Sequence, residues 1–226
     1  MDMVGQLCFC QTWNCIKMKK ILLNFGDSWA HAGHVLPHNG YSNLIAKELG
    51  YEWVDLSEPG TSIMHMVWRL QYFLTQDYTR HNQYLALFFV TAQERQLMFD
   101  VNGSAYEVNL DRCPGYYKDF YTDHLGNFHF NCAMLTLQRL CDIYNIEDHY
   151  LLGWQLPVLW SSVDEKKFYK LGKSNAIEMF GGPGCTVHDL QNQSHPCVIS
   201  RSNGHPSMQG HRIIAKHWIQ WITNNS

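Results

Sequence analysis

No apolar run in this chain of 226 residues approaches the ~20 needed to cross a bilayer; the longest, Leu85-Ala86-Leu87-Phe88-Phe89-Val90, is the length of one strand. No membrane span is expected. The sequence also lacks a stripe of positive charge. Its 17 lysines and arginines are scattered and its formal net charge is −3, so the electrostatic footprint of a nucleic-acid partner is missing. Residues 1 to 17 have none of the charged start, apolar run and small-residue cleavage site of a secretory leader. They read as an N-terminal extension with Met18 as the natural start, and a soluble protein of the cytoplasm or another aqueous compartment is expected. Repeats, low-complexity tracts and linker-like stretches are absent too, which leaves residues 18 to 226 as a single domain.

Apolar side chains make up 46% of the sequence, enough for one sizeable core. A chain with such a core and no export signal has no need of disulfides, so its eight cysteines are expected to be free thiols. The spacing of Cys8, Cys10 and Cys15 fits no zinc pattern well.

Periodicity and turn chemistry predict strands at 20 to 25, 51 to 56, 85 to 90 and 149 to 154. Helices are predicted at 39 to 49, 62 to 75, 128 to 144 and 207 to 222. Residues 98 to 122, with Asn102-Gly103 and Cys113-Pro114-Gly115, read as an inserted loop or hairpin, and 155 to 202 as irregular loops of the kind that line sites. Strands alternating with helices describe an α/β domain with a mainly parallel sheet covered on both faces, whose site lies beyond the C-terminal strand ends.

Two blocks carry chemistry. Gly26-Asp27-Ser28-Trp29 puts a serine where a buried strand ends, and Gly204-His205-Pro206-Ser207 opens the last helix with a histidine. A hydroxyl and an imidazole form a nucleophile and base if the fold joins them. His31, His34 and His38 have helical spacing, but Gly33 and Pro37 make that segment a loop, so lining a cleft is favoured over metal binding. Tyr106, Tyr116, Tyr117, Phe120 and Tyr121 either cover core beneath the insertion or offer a sugar-stacking surface.

These blocks resemble those of the SGNH or GDSL hydrolases. Members carry Gly-Asp-Ser after the first strand, a glycine after the second, Gly-x-Asn-Asp after the third and Asp-x-x-His-Pro near the C-terminus. The resemblance runs from about residue 20 to the end. It implies a three-layer α/β/α sandwich of flavodoxin-like type and hydrolysis of a small-molecule or glycan ester without metal or organic cofactor. It assigns Ser28 as nucleophile and His205 as base, and the oxyanion hole to the N–H groups of Ser28 and Gly60 with the amide of Gln93.

Two blocks depart from the family. Thr91-Ala92-Gln93-Glu94 stands where Gly-x-Asn-Asp is expected, and Ser202 stands where the acid belongs. Ser202, Asn203 or a carboxylate from the irregular region, Asp189 first, are the candidates to orient His205. Asp27 is expected to organise the turn. Asp27, Trp29, His31 and Arg95 are expected along the substrate cleft, with Arg95 the other oxyanion-hole candidate of its loop or equally a seat for an anionic part of the substrate. The departures leave a rival reading, an SGNH-fold binding module with weakened catalysis that recognises a glycan or other small ligand.

Overall fold

Four strands pair in parallel in the order β2-β1-β3-β6, with β1 at Lys20–Gly26, β2 at Glu52–Asp55, β3 at Gln83–Val90 and β6 at Ile146–Leu152. The computed structural model describes residues 18–31, 35–99, 101–102, 105–108, 113–154, 158–169 and 175–225. The N-terminal extension and His34 lie outside these residues.

Alternation along the strands builds two cores. Leu23, Phe25, Ala86, Phe88 and Tyr150 face α2 (Ile63–Gln76) and α4 (Asp123–Tyr144), whereas Leu22, Leu85, Leu87, Phe89 and Leu151 face α1 (Tyr41–Leu49) and α7 (Met208–Asn225). Because side chains of successive strand residues point to opposite faces, a continuous apolar run such as β3 must be covered on both sides, which gives the predicted three layers. The chain makes β1, crosses to β2 on one side and returns to β3 on the other. The sheet order therefore reverses between β1 and β3, and a crevice opens at their C-terminal ends.

Local chemistry sets the element ends. α1 stops at Gly50, held left-handed at φ 73°, and α2 starts where the Ser62 hydroxyl accepts the N–H of His65. The insertion is an antiparallel hairpin, β4 (Gln96–Phe99) with β5 (Ala105–Val108), followed by α3 (Pro114–Asp119).

Three expectations needed correction. α4 begins five residues before the predicted 128, because Thr122 caps it and Gly126, which looks like a break, lies where an added Cβ would collide with the Tyr121 ring. β6 begins three residues early. Asp148 and His149 disguise its start as polar, but Lys167 Nζ reaches Asp148 Oδ1 at 2.8 Å and allows burial of that carboxylate. The stretch from 155 to 202 holds more order than predicted: α5 (Glu178–Gly181), α6 (Val187–Asn192) and β7 (Val198–Ser200), which pairs with β8 (Asn203–Pro206).

Gly26 ends β1 at φ 151°, and a Cβ there would lie 2.5 Å from Ala30 Cβ and 2.8 Å from Phe89 Cβ. Close approach of the following turn to β3 thus requires glycine. Gly26→Ala is expected to destabilise the protein by roughly 2–4 kcal/mol in urea unfolding. A variant as stable as wild type would mean that the turn relaxes freely.

Among the described residues no helix is long and apolar enough to cross a membrane, and no three His, Cys, Asp or Glu side chains converge as a metal site would need. Cys113, Cys132, Cys141, Cys185 and Cys197 are free.

Candidate active site

Ser28 lies on the first turn after β1. The carbonyl of Asp27 accepts the N–H groups of Ala30 (3.0 Å) and His31 (2.9 Å), so residues 27 to 31 form a single helical turn that starts at the sheet edge. Asp27 itself is 0% exposed. A carboxylate so buried needs compensation, and three donors supply it: Trp29 N–H at 2.9 Å, Thr91 Oγ1 at 3.0 Å and Arg95 guanidinium at 2.8 Å.

Asp27 therefore organises the turn and, fully buried, does not border the cleft along which it was also expected. The finding that sequence reasoning missed is the source of its partners. Thr91 and Arg95 belong to the loop after β3, the block where the chain departs from Gly-x-Asn-Asp. Arg95 thus meets the Asp27 carboxylate through one Nη, and its side chain, 23% exposed, also lines the cleft where it was expected.

Removing one partner of a buried ion pair typically costs about 3–5 kcal/mol, because the other charge is left uncompensated. Arg95→Met is expected to destabilise by roughly that amount, and adding Asp27→Asn to recover part of it. Chemical denaturation of the two variants checks the coupling; additive losses would show that the pair is not linked.

The glycine loop after β2 is tied down beside this turn. The Gly26 carbonyl accepts Glu58 N–H at 3.0 Å and Thr61 Oγ1 at 3.1 Å, which holds Gly60, left-handed at φ 82°, beyond the end of β1. Beneath it the buried Asn24 amide donates to Asp55 Oδ1 (2.9 Å) and Ala30 O (3.2 Å) and accepts the Tyr41 hydroxyl (3.1 Å). Burial first, then the Asp55 and Asp27 carboxylates, raise the Tyr41 phenol well above its ordinary pKa, so it stays a neutral donor. Asp55 Oδ2 lies 3.5 Å from His31 Nδ1.

His205 sits on β8, two residues before α7. Asn203 Oδ1 lies 3.1 Å from His205 N and 2.6 Å from His205 Nδ1. A backbone N–H only donates, so the atom it meets is an acceptor, and Nδ1 must then carry the proton. Nε2 is left with its lone pair, the tautomer a base requires. Of the orienting candidates, Asn203 is the one in place. Ser202 Oγ faces Ser200 Oγ at 3.1 Å across the β7–β8 turn. Asp189 Oδ2 accepts Thr186 N–H and Oγ1 in the capping box of α6, and those bonds lower its pKa.

One ring links the two halves. Phe180 stacks on Trp29 with centroids 6.1 Å apart, and its Cζ, like Pro206 Cβ, is 3.2 Å from the Cβ that Gly210 would carry. Phe180 thus contacts Trp29 of the nucleophile turn and lies close to Gly210, the residue of α7 beside Pro206. Ser28 Oγ makes no hydrogen bond among the described residues.

A cleft of about 710 Å3 opens beyond β3 and β6, with Gln93, Glu94, Arg95, Trp154 and Glu178 in its walls. Ser28 and His205 are outside that lining, and the Asp27–Arg95 pair joins the cleft to the nucleophile turn. Gln93 Oε1 is buried without a hydrogen-bond partner among the described residues. Trp29, expected along the cleft, is 4% exposed and packs against Phe89 and Trp154; Trp154 is the ring on the wall. The Tyr117 hydroxyl donates to Glu94 O and Val108 O, so at least this ring of the insertion braces the loop after β3. His211, on the buried stripe of α7, accepts the Tyr41 N–H at 3.3 Å and is a packing residue.

No family model matches the sequence, and no curated protein sequence does. Solved structures do match. TesA aligns over 91% of this chain and 99% of its own, with TM-score 0.53 and 14% identity. A protein of the lipolytic G-D-S-L family from Desulfitobacterium hafniense aligns over 90% and 99%, at 0.51 and 9%. The chain has the SGNH-hydrolase fold. The esterase EstA from Pseudoalteromonas sp., in a structure inhibited by monoethylphosphonate, aligns over 91% and 97%, at 0.51 and 13%. The glycine loop after β2 and the loop after β3 are each hydrogen-bonded to the end of β1 or the turn after it, at the switch-point edge of the sheet.

Proposed function

We propose that this protein hydrolyses a carboxylic ester of short acyl chain, a carbohydrate O-acetyl among the candidates, through an acyl-enzyme on Ser28. The observation that carries the reading is the placement of Asn203 Oδ1 against both His205 N and His205 Nδ1, which favours the tautomer with the proton on Nδ1. An amide acceptor fills the third place of a Cys-His-Asn triad elsewhere, so an uncharged orienting group is compatible with acyl transfer.

Ser28 Oγ bonds to the ester carbonyl carbon as its proton passes to His205 Nε2. The oxyanion is held by the N–H groups of Ser28 and Gly60 and by the Gln93 amide. As the intermediate collapses, the C–O bond to the alcohol breaks and Nε2 returns the proton to the leaving oxygen. Water, deprotonated by the same nitrogen, then attacks the acyl carbon and frees the acid and Ser28. Catalytic hydrogen bonds in empty sites are often open, so the base is taken to close on Ser28 when substrate enters.

The uncharged Asn203 favours a second reading, the binding module, in which the fold keeps the cleft and catalysis is weak. A fluorophosphonate probe followed by peptide mapping separates the two, and EstA shows that a phosphonate can inhibit a neighbour of this fold. Labelling at Ser28 is expected. Folded protein that resists the probe and is inert towards p-nitrophenyl acetate would support the binding module.

A further inference from the structure

Among the described residues the charge balance of the cleft is unfavourable to an anion. Of the basic side chains in the described lining, Arg95 is paired through one Nη with the fully buried Asp27, and the other is His188. Glu94 and Glu178 stand on the walls without an arginine or lysine partner among the described residues. Glu178 accepts the N–H groups of Asn175 (3.2 Å) and Gly184 (2.9 Å), bonds that fix it in place. The N-terminus of α6, another source of positive potential on this wall, is closed by the Asp189 carboxylate. Around the nucleophile turn the pattern repeats: Asp55 faces His31, and Arg69 is spent on Glu58.

The cleft also has an aromatic wall. Trp154 is part of the Trp29 and Phe180 cluster, and an indole face beside carboxylates attracts a cation and gives an anion nothing. The neighbourhood registers the same sign: the Cys185 thiol on this wall is pushed up by burial and then by Asp189 and Glu178.

We propose that this cleft selects its ester by charge, favouring substrates whose acyl or alcohol part is cationic over neutral ones, and neutral ones over those carrying carboxylate, sulfate or phosphate. The proposal rests on the ester-hydrolase reading and adds a substrate class to it. Two partly solvated wall carboxylates, each several ångströms from a bound charge, should separate a cation from an anion by roughly tenfold or more at low ionic strength.

The test has two arms. In the first, kcat/KM is measured on p-nitrophenyl esters of matched length: 4-trimethylammoniobutyrate, valerate and hydrogen glutarate. The expected order is cation, neutral, anion, compressed by 0.5 M salt (about a 4 Å screening length) and by Glu94→Gln. The second arm needs no turnover. Cys185 is modified with methanethiosulfonates bearing a trimethylammonium or a sulfonate group and followed by peptide mapping, with Cys185→Ser as control.

The cationic reagent is expected to be favoured at Cys185 at least about fivefold beyond its preference for a blocked free cysteine, since local potential enriches the counter-charge. Ser28-dependent turnover without the charge order overturns the proposal and leaves the ester reading standing. Absence of Ser28-dependent turnover removes the ester reading, and the Cys185 ratio then decides alone: an unbiased ratio overturns the charge selection, a biased one supports it for whatever ligand the cleft takes.

Discussion

Ser28→Ala is expected to abolish fluorophosphonate labelling and to lower ester turnover by between ~10² and ~10⁶ fold. The range follows from the third member of the constellation. Removing the serine of a complete triad costs about 10⁶ in kcat, and the residual rate comes from the oxyanion hole and binding alone. Losing the charge of the orienting residue costs up to about 10⁴, part of it through the wrong tautomer. Asn203 Oδ1 accepts both His205 donors and so keeps the right tautomer, which places the native activity between these limits and sets what Ser28→Ala can still remove. Ser28 is half-buried and without a hydrogen bond among the described residues, so the substitution should leave thermal stability within about 0.5 kcal/mol. Turnover that survives within tenfold would sink the proposed mechanism, because no acyl-enzyme could form on this turn.

The second large effect runs upward. Asn203→Asp puts a carboxylate 2.6 Å from Nδ1, where Asn203 Oδ1 now sits, and retains the acceptor for His205 N–H. The negative charge stabilises the imidazolium that forms as Ser28 attacks, so kcat is expected to rise by at least about tenfold and at most about 10⁴-fold. The sign of the accompanying pH effect is fixed. An adjacent carboxylate favours the charged imidazole and raises its pKa, and the base works only when neutral, so the acidic limb of kcat/KM should move to higher pH. Asn203→Ala should do the opposite to kcat, by freeing the ring to adopt either tautomer. If Asn203→Asp leaves both kcat and the pH profile unchanged, some other group orients the base.

What the sequence discloses here is what is encoded locally. β3 is read from six successive apolar residues, the turn at Ser28 from the glycine that ends an apolar run, and the start of α7 from His205-Pro206 ahead of a helical stripe. Each depends on neighbours within a few positions. The features that escape depend on distant partners. The start of β6 is masked by Asp148, whose charge is met by a lysine nineteen positions further on. The commitment of Arg95 to Asp27 spans 68 positions, and without it the residue reads as a free cation. The capping box at Thr186 and Asp189 has a local signal, a threonine three before an acid, but Gly181-Gly182-Pro183-Gly184 just ahead of it reads as a break. Trp154 reads as the end of a strand from its apolar neighbours, whereas the strand ends at Leu152 and the ring borders the cleft.

The salt link between the first and third loops also limits how the molecule can be re-engineered. Thr91 and Arg95 on one loop and Asp27 on the other form a lock in two pieces, each useless when transplanted singly. A chimera that imported a Gly-x-Asn-Asp segment after β3 would strand the carboxylate in the interior, and one that replaced only the first loop would leave a guanidinium with nothing to hold. Loop swaps among proteins of this shape would here have to move both pieces together.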